Sequence, residues 1–203
     1  MRYNVTPEDN AALCRQAPEF AEIVSLRPES GFECAEDLFA ALVQSIVSQQ
    51  LALAAADAIL ARLEKLLGVI APEELQKSTD EELRKCGLSL RKINYLRGIA
   101  DAALSGKLDF SALHNLTDNE VKAELVKLKG VGEWTAEMIL IFALGRRDVL
   151  SVKDLGIRRG LMMLHNLEEL AESEVAQYRQ RYSPYGTLAS LYLWKIKDGG
   201  LRR

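Results

Sequence analysis

Long apolar runs are absent from this chain. No stretch is long and apolar enough to span a bilayer, and the N-terminus has no cationic start followed by an apolar run. Both absences predict a soluble, intracellular protein with no membrane partner. Cysteine is scarce: Cys14, Cys34 and Cys86 are odd in number and lack CxxC spacing, which predicts reduced, buried thiols rather than a disulfide framework. The two histidines, His114 and His165, lie in helical or turn contexts that suggest structural roles. Alternating apolar–polar stretches are missing, as is any internal repeat, so the pattern offers no strand of any length. Positive charge is not in excess either. The formal net charge of −3 argues against a general nucleic-acid coat protein.

What the chain does have is helix. At 203 residues with 48% hydrophobic side chains, it can bury a core as one compact unit or as two tightly packed lobes. Glu36 to Val47 and Leu51 to Leu67 are long, apolar and alanine-rich, as closely packed core helices are. Thr79-Asp80-Glu81-Glu82 is a capping box opening a short helix that Gly87 ends. Ser89 caps a helix running to about Leu104, and Gly106 follows it. Ser183-Pro184 reads as a cap with proline at the first helical position, starting a last helix through Lys195. The predicted class is all-α with short loops.

Charge is spread unevenly along these helices. Residues 122–159 hold eight Lys/Arg against five acids, a local basic face that suits transient contact with DNA or plain solvation. Inside that segment lies Leu128-Lys129-Gly130-Val131-Gly132-Glu133-Trp134-Thr135-Ala136. Two glycines separated by one apolar residue make a turn too tight for side chains, because glycine reaches positive φ without a Cβ penalty. The capping box Thr117-Asp118-Asn119-Glu120 opens a helix before it, through Lys127. Glu133 to Leu144 reads as a second helix, with Ala136, Ile139, Leu140 and Ala143 inward. Amides at the second helix's N-terminus suit a phosphate oxygen, and hairpin carbonyls pointing the other way suit a monovalent cation. An ordinary αα-hairpin has the same local pattern.

The wider pattern distinguishes the two. Leu128 to Ala136 resembles the helix-hairpin-helix of the HhH-GPD superfamily of DNA glycosylases, and Asp154, 22 residues past Gly132, stands where that family carries its catalytic aspartate. The resemblance is strongest to the alkylpurine branch, of the 3-methyladenine DNA glycosylase II type. Ser45 to Leu51, Asp154 to Arg159, and Tyr182-Ser183-Pro184-Tyr185 leading to Trp194 extend it over most of the chain. It implies a two-lobed helical fold. Residues 33–147 would form one lobe, with the hairpin at about 117–145, and 1–32 would join 148–203 as the other. Asp154 would lie in the cleft between them. The resemblance implies a chain that starts where that two-lobed core starts, with no counterpart expected of the extra N-terminal β-domain of some alkylpurine glycosylases.

The resemblance also implies roles. Trp134 and Trp194 match aromatic pocket residues, although core packing is the competing use of any tryptophan. Met138 and Leu155 stand where some relatives carry tyrosines, so the pocket is more aliphatic and a different damaged base is an alternative substrate. Gly130, Val131, Gly132, Glu133, Trp134 and Thr135 would hold DNA phosphates, with main-chain amides from Val131 to Thr135 as donors. The carbonyls of Val126, Leu128 and Val131 would hold Na⁺ or K⁺. Ser48 to Ala52 matches the segment that fills the gap left by a flipped base, with Gln50 as plug ahead of Leu51 and Ala52. A polar interruption between two core helices is the alternative there.

Chemically, a glycosylase flips its target nucleotide at a cost of a few kcal/mol, least where pairing is damaged. Aromatic stacking returns about 1–3 kcal/mol per base. Breaking the N-glycosidic bond builds positive charge on the sugar. A carboxylate about 4 Å away is worth ~4 kcal/mol at an effective dielectric near 20, roughly a thousandfold in rate. Asp154 is equally placed to cap the helix Leu155 to Leu164. An alkylated purine already carries positive charge, so one carboxylate without an evident acid suits it. The expectation is a monomeric, monofunctional glycosylase acting on double-stranded DNA with damaged bases, in the bacterial nucleoid or a eukaryotic nucleus. The competing class is a non-catalytic helix-hairpin-helix DNA-binding protein. A bifunctional, endonuclease III-like enzyme is opposed twice: no four-cysteine cluster for iron–sulfur is present, and Trp134 stands where its lysine nucleophile would be.

Overall fold

The computed structural model describes residues 1–200. In chain order the elements are β1 (Arg2–Asn4), α1 (Pro7–Gln16), α2 (Ala21–Leu26), β2 (Gly31–Glu33), α3 (Leu38–Ser48), α4 (Leu53–Leu67), α5 (Pro72–Lys77) and α6 (Asp80–Lys85). They continue as α7 (Leu90–Leu104), α8 (Asp118–Leu125), α9 (Glu133–Phe142), α10 (Leu155–His165), α11 (Glu172–Tyr182) and α12 (Gly186–Lys195). Among the described residues the fold is all-α apart from one short strand pair. The chain divides into two compact units, Met1–Cys34 with Leu140–Arg203, and Ala35–Ile139.

The unit Ala35–Ile139 is built on local start and stop signals. Asp37 caps α3 by accepting the Ala40 amide at 2.8 Å. Thr79 and Glu82 form a reciprocal box at α6, and Thr117 and Glu120 form another at α8. Each box satisfies two amides that a helix start leaves without intrahelical partners. Ser89 caps α7 through the Lys92 amide. The apolar faces of these helices meet in a core that includes Leu42, Ile46, Leu63, Leu83, Ile93 and Leu96, each sealed from solvent. The helix expected from Leu51 begins instead at Leu53, because Gln50 takes a φ of +58°. Left-handed backbone at a non-glycine residue ends one helix and turns the chain before the next.

The other unit packs α1, α2 and α10–α12 around Phe20, Tyr182, Tyr192, Ile157, Leu161 and Leu193. Its strand pair corrects the expectation of no strands. Tyr3 faces Phe32 across an antiparallel register, with ring centroids 5.1 Å apart. Three-residue strands are too short to show an alternating pattern. A second correction concerns Ser183-Pro184. The peptide between them is cis, and the last helix starts at Gly186 rather than at the proline. Ser183 does not cap it. Its hydroxyl donates to Asp148 Oδ2 at 2.6 Å, while Asp148 Oδ1 accepts the Gly186 amide at 3.0 Å. A carboxylate from a distant loop thus accepts the first amide of the helix, the work that the sequence suggested for serine.

Candidate active site

Asp154 is the N-cap of α10, with extended backbone at φ −74°, ψ 119°. Its Oδ1 accepts the Ile157 amide at 2.7 Å and the indole N–H of Trp194 at 2.9 Å. The carboxylate belongs to a residue only 8% exposed. Two N–H donors on one oxygen fix its orientation, which a cap bond alone would leave free to pivot. The close approach of α12 to α10 makes this possible. A Cβ on Gly160 would run into the main chain of Leu193, and one on Gly156 would lie 2.7 Å from Trp194 Cδ1 and 3.0 Å from Asp154 Oδ1. Phe142 stacks on the indole, centroids 5.7 Å apart and 23° between planes. Leu155, next in the chain, is 71% exposed.

Trp194 therefore does something the sequence did not suggest. Its N–H is committed to the carboxylate and one ring face to Phe142. Gly156, Gly160 and Phe142 were not singled out from sequence. The i, i+4 spacing of the two glycines on one helix was the available signal for a close helix neighbour.

The hairpin belongs to the other unit. After α8, the Lys127, Leu128 and Val131 amides donate three residues back, to Glu124, Leu125 and Leu128 carbonyls at 3.3, 3.1 and 3.0 Å. These tight turns carry the chain to Gly130, whose φ is +94° and whose missing Cβ leaves room for the Tyr95 ring. Gly132 differs. It has no positive φ, and a Cβ there would meet nothing within 4 Å. Only Gly130, then, is a glycine for reasons internal to the fold. The Gly132 carbonyl accepts the Ala136 amide at 3.0 Å, opening α9. Of the amides expected to face phosphate, that of Val131 is already spent on Leu128, which corrects the set at its first member.

Trp134 and Met138 lie one turn apart on α9, hence on one face. Trp134 is 39% exposed and Met138 only 9%, so the indole stands at the surface over an apolar neighbour rather than in the core. The Gln50 turn is close to the hairpin. The Gln49 side-chain Nε2 donates to the Gly130 carbonyl at 3.0 Å and reaches Thr135 Oγ1 at 3.4 Å. Gln50, Leu51 and Ala52 are exposed, and Arg91 donates to Gln50 Oε1 at 3.4 Å. Gln49 and Arg91 were not singled out from sequence.

Among the described residues no group of three or more His, Cys, Asp and Glu side chains is placed to hold a metal ion, and no helix is long and apolar enough to cross a membrane. The remaining candidate ligands for a cation are the neutral main-chain oxygens of Val126, Leu128 and Val131. That of Leu128 already accepts one hydrogen bond.

Comparison with known proteins identifies the family. The chain is 37% identical over 174 residues to a DNA-3-methyladenine glycosylase of Schizosaccharomyces pombe, covering 83% of this chain and 76% of that one. Its fold matches the crystal structure of a DNA-3-methyladenine glycosidase from Bacillus halodurans with a TM-score of 0.84 at 39% identity, over 95% of this chain and 89% of that one. It also matches a Schizosaccharomyces pombe 3-methyladenine DNA glycosylase in complex with abasic DNA, with a TM-score of 0.83 at 33% identity, over 93% and 96% of the two chains. The model of the HhH-GPD superfamily of base excision DNA repair proteins matches residues 43–184, and the chain belongs to that family.

Proposed function

We propose that this chain is a monofunctional DNA glycosylase that hydrolyses the N-glycosidic bond of alkylated purines, of the 3-methyladenine and 7-methylguanine type, flipped out of double-stranded DNA. The observation that carries the reading is Asp154: a buried carboxylate held by two N–H donors in a chain of this family. Phosphates would sit at the hairpin, on the first-turn amides of α9 from Glu133 to Thr135. At Gly132 the space a Cβ would fill is empty within 4 Å, which lets a phosphate backbone approach closely. A Na⁺ or K⁺ at the carbonyls of Val126, Leu128 and Val131 fits neutral oxygen ligands. Gln50 and Leu51 would fill the place of the flipped base.

In this mechanism the cationic base leaves as the C1′–N bond breaks and takes the bonding pair, so it departs neutral without an acid. Positive charge passes to the sugar, where the Asp154 carboxylate stabilises it. Water then adds its oxygen to C1′ and gives its proton to Asp154 or to solvent. Trp134, over Met138, supplies the stacking surface for the base. Trp194, turned edge-on to Asp154, orients the carboxylate as well as walling the site. An indole at position 134 cannot form a Schiff base with the sugar, whereas a lysine of lowered pKa can.

The test is base release from duplexes carrying one 7-methylguanine or 3-methyladenine. Wild-type protein is expected to leave an intact abasic strand that breaks only with alkali. Borohydride during turnover should trap no covalent adduct. Asp154→Asn should bind the same DNA while excision falls by a factor of hundreds or more, the order of the charge estimate. Full activity in Asp154→Asn would remove the catalytic carboxylate from the mechanism, no base release by wild type would return the chain to the class of non-catalytic DNA-binding proteins, and a trapped adduct would refute the monofunctional assignment.

A further inference from the structure

We infer that Lys92 is a positioning residue for the Gln50–Leu51 turn, its ammonium holding the main-chain carbonyls on either side of Ser48. The inference rests on the glycosylase reading above, in which this turn enters the duplex.

Lys92 lies on the first turn of α7, and its Nζ donates to the Val47 carbonyl at 2.6 Å and to the Gln49 carbonyl at 2.9 Å. These oxygens belong to the end of α3 and to its cap residue. A helix C-terminus leaves such carbonyls without intrahelical partners and carries partial negative charge, so a cation with several donors is the natural partner. The contact does more than cap. Immediately beyond Gln49 the chain enters the left-handed region at Gln50, φ +58°, which a non-glycine side chain disfavours. Such a conformation persists only where its surroundings hold it.

The holding groups can be named, and all lie in the unit Ala35–Ile139. On one side Lys92 grips the backbone before and after Ser48. On the other, the Gln49 side chain donates to the Gly130 carbonyl at 3.0 Å, tying the turn to the hairpin. Within the turn, the Leu51 amide donates to the Ser48 carbonyl at 3.2 Å. Arg91 reaches Gln50 Oε1 at 3.4 Å, a longer contact to an exposed side chain. Lys92 binds the turn's main chain, and it sits partly buried. Burial, with Arg91 beside it, also pushes its ammonium below the ordinary lysine range.

A turn pushed into a duplex meets resistance from the stacked bases. If its backbone relaxed, Gln50 and Leu51 would fold back and the flipped state would lose its filler. Loss of Lys92 should therefore matter where a base has to be taken out of a paired stack. Where the lesion is already unpaired it should matter little.

The experiment measures single-turnover release of 7-methylguanine from two DNAs, one fully paired and one with the lesion inside a bubble of unpaired bases. Lys92→Met keeps the length of the stem and removes both donors. It should lower the rate on paired DNA at least about tenfold, with less than a twofold loss on the bubble. Lys92→Arg, which keeps the charge and two donors, should restore more than half of the paired-DNA rate. If Lys92→Met does not fold, Lys92→Gln carries the same comparison. Equal losses on both DNAs would make Lys92 a residue of the fold alone and overturn the inference, as would no loss on either. Wild-type protein that releases no base from either DNA would overturn the glycosylase reading itself, and the inference with it.

Discussion

The indole N–H of Trp194 donates to Asp154 Oδ1 at 2.9 Å, sharing that oxygen with the Ile157 amide at 2.7 Å. The cap bond supplies one direction and the indole a second, so the carboxylate is clamped between the start of α10 and the C-terminal end of α12.

Trp194→Phe tests the clamp. It keeps an aromatic ring against Phe142 and removes only the N–H donor. A hydrogen bond to a charged group is worth about 1.5–3 kcal/mol, so excision should fall roughly ten- to a hundredfold. If the ring alone mattered, the rate of Trp194→Phe would stay near wild type.

The two hairpin glycines should separate in a paired substitution. Gly130→Ala places a Cβ at φ +94° against Tyr95, and should cost about 1–3 kcal/mol of stability. Gly132→Ala meets nothing in the protein, and its melting should shift by less than about 0.5 kcal/mol. Its binding to duplex DNA should nevertheless weaken, read from titrations at one fixed salt concentration. Unchanged binding would mean that no phosphate approaches Gly132.

Trp134→Ala addresses the stacking surface. Because the side chain is 39% exposed, its removal should cost less stability than removal of a fully buried tryptophan, while base release drops. Loss of stability by several kcal/mol with unchanged activity per folded molecule would make Trp134 a packing residue after all.

A pH-dependence of stability follows from His165. Its Nε2 lies 2.9 Å from Tyr182 Oη and 3.7 Å from Glu19, in a cluster completed by Tyr178 and Arg181. Burial pushes its pKa below the ordinary histidine range; Glu19 works the other way, and Arg181 reinforces the lowering. The unfolded chain therefore takes up the proton first as pH falls. This contribution is complete above the unfolded histidine value, near 6.5, and is lost as pH falls toward the folded one. Thermal melts of wild type should drop between pH 7.5 and 5.5, and His165→Phe should flatten that part of the profile. Parallel profiles would place the slope elsewhere.

The boundary between what could be read from sequence and what could not follows the range of the interactions. The boxes Thr79–Glu82 and Thr117–Glu120, the Ser89 cap and the Asp154 cap close within three residues, so residue order alone identifies them. The Gly130 turn is legible for the same reason. Asp154 as a functional candidate came from its spacing to the hairpin and the resemblance it completes. What partners Asp154, by contrast, was decided by packing: Trp194 is 40 residues away and reaches it because Gly156 and Gly160 let α12 approach α10. Lys92 grips a carbonyl 45 residues back, and Asp148 displaces Ser183 as a cap from 35 residues away. Pattern at helical spacing says which face of a helix is buried. It carries no record of which polar side chain on another element will arrive within 3 Å. That depends on how helices cross, and only the tertiary structure decides it.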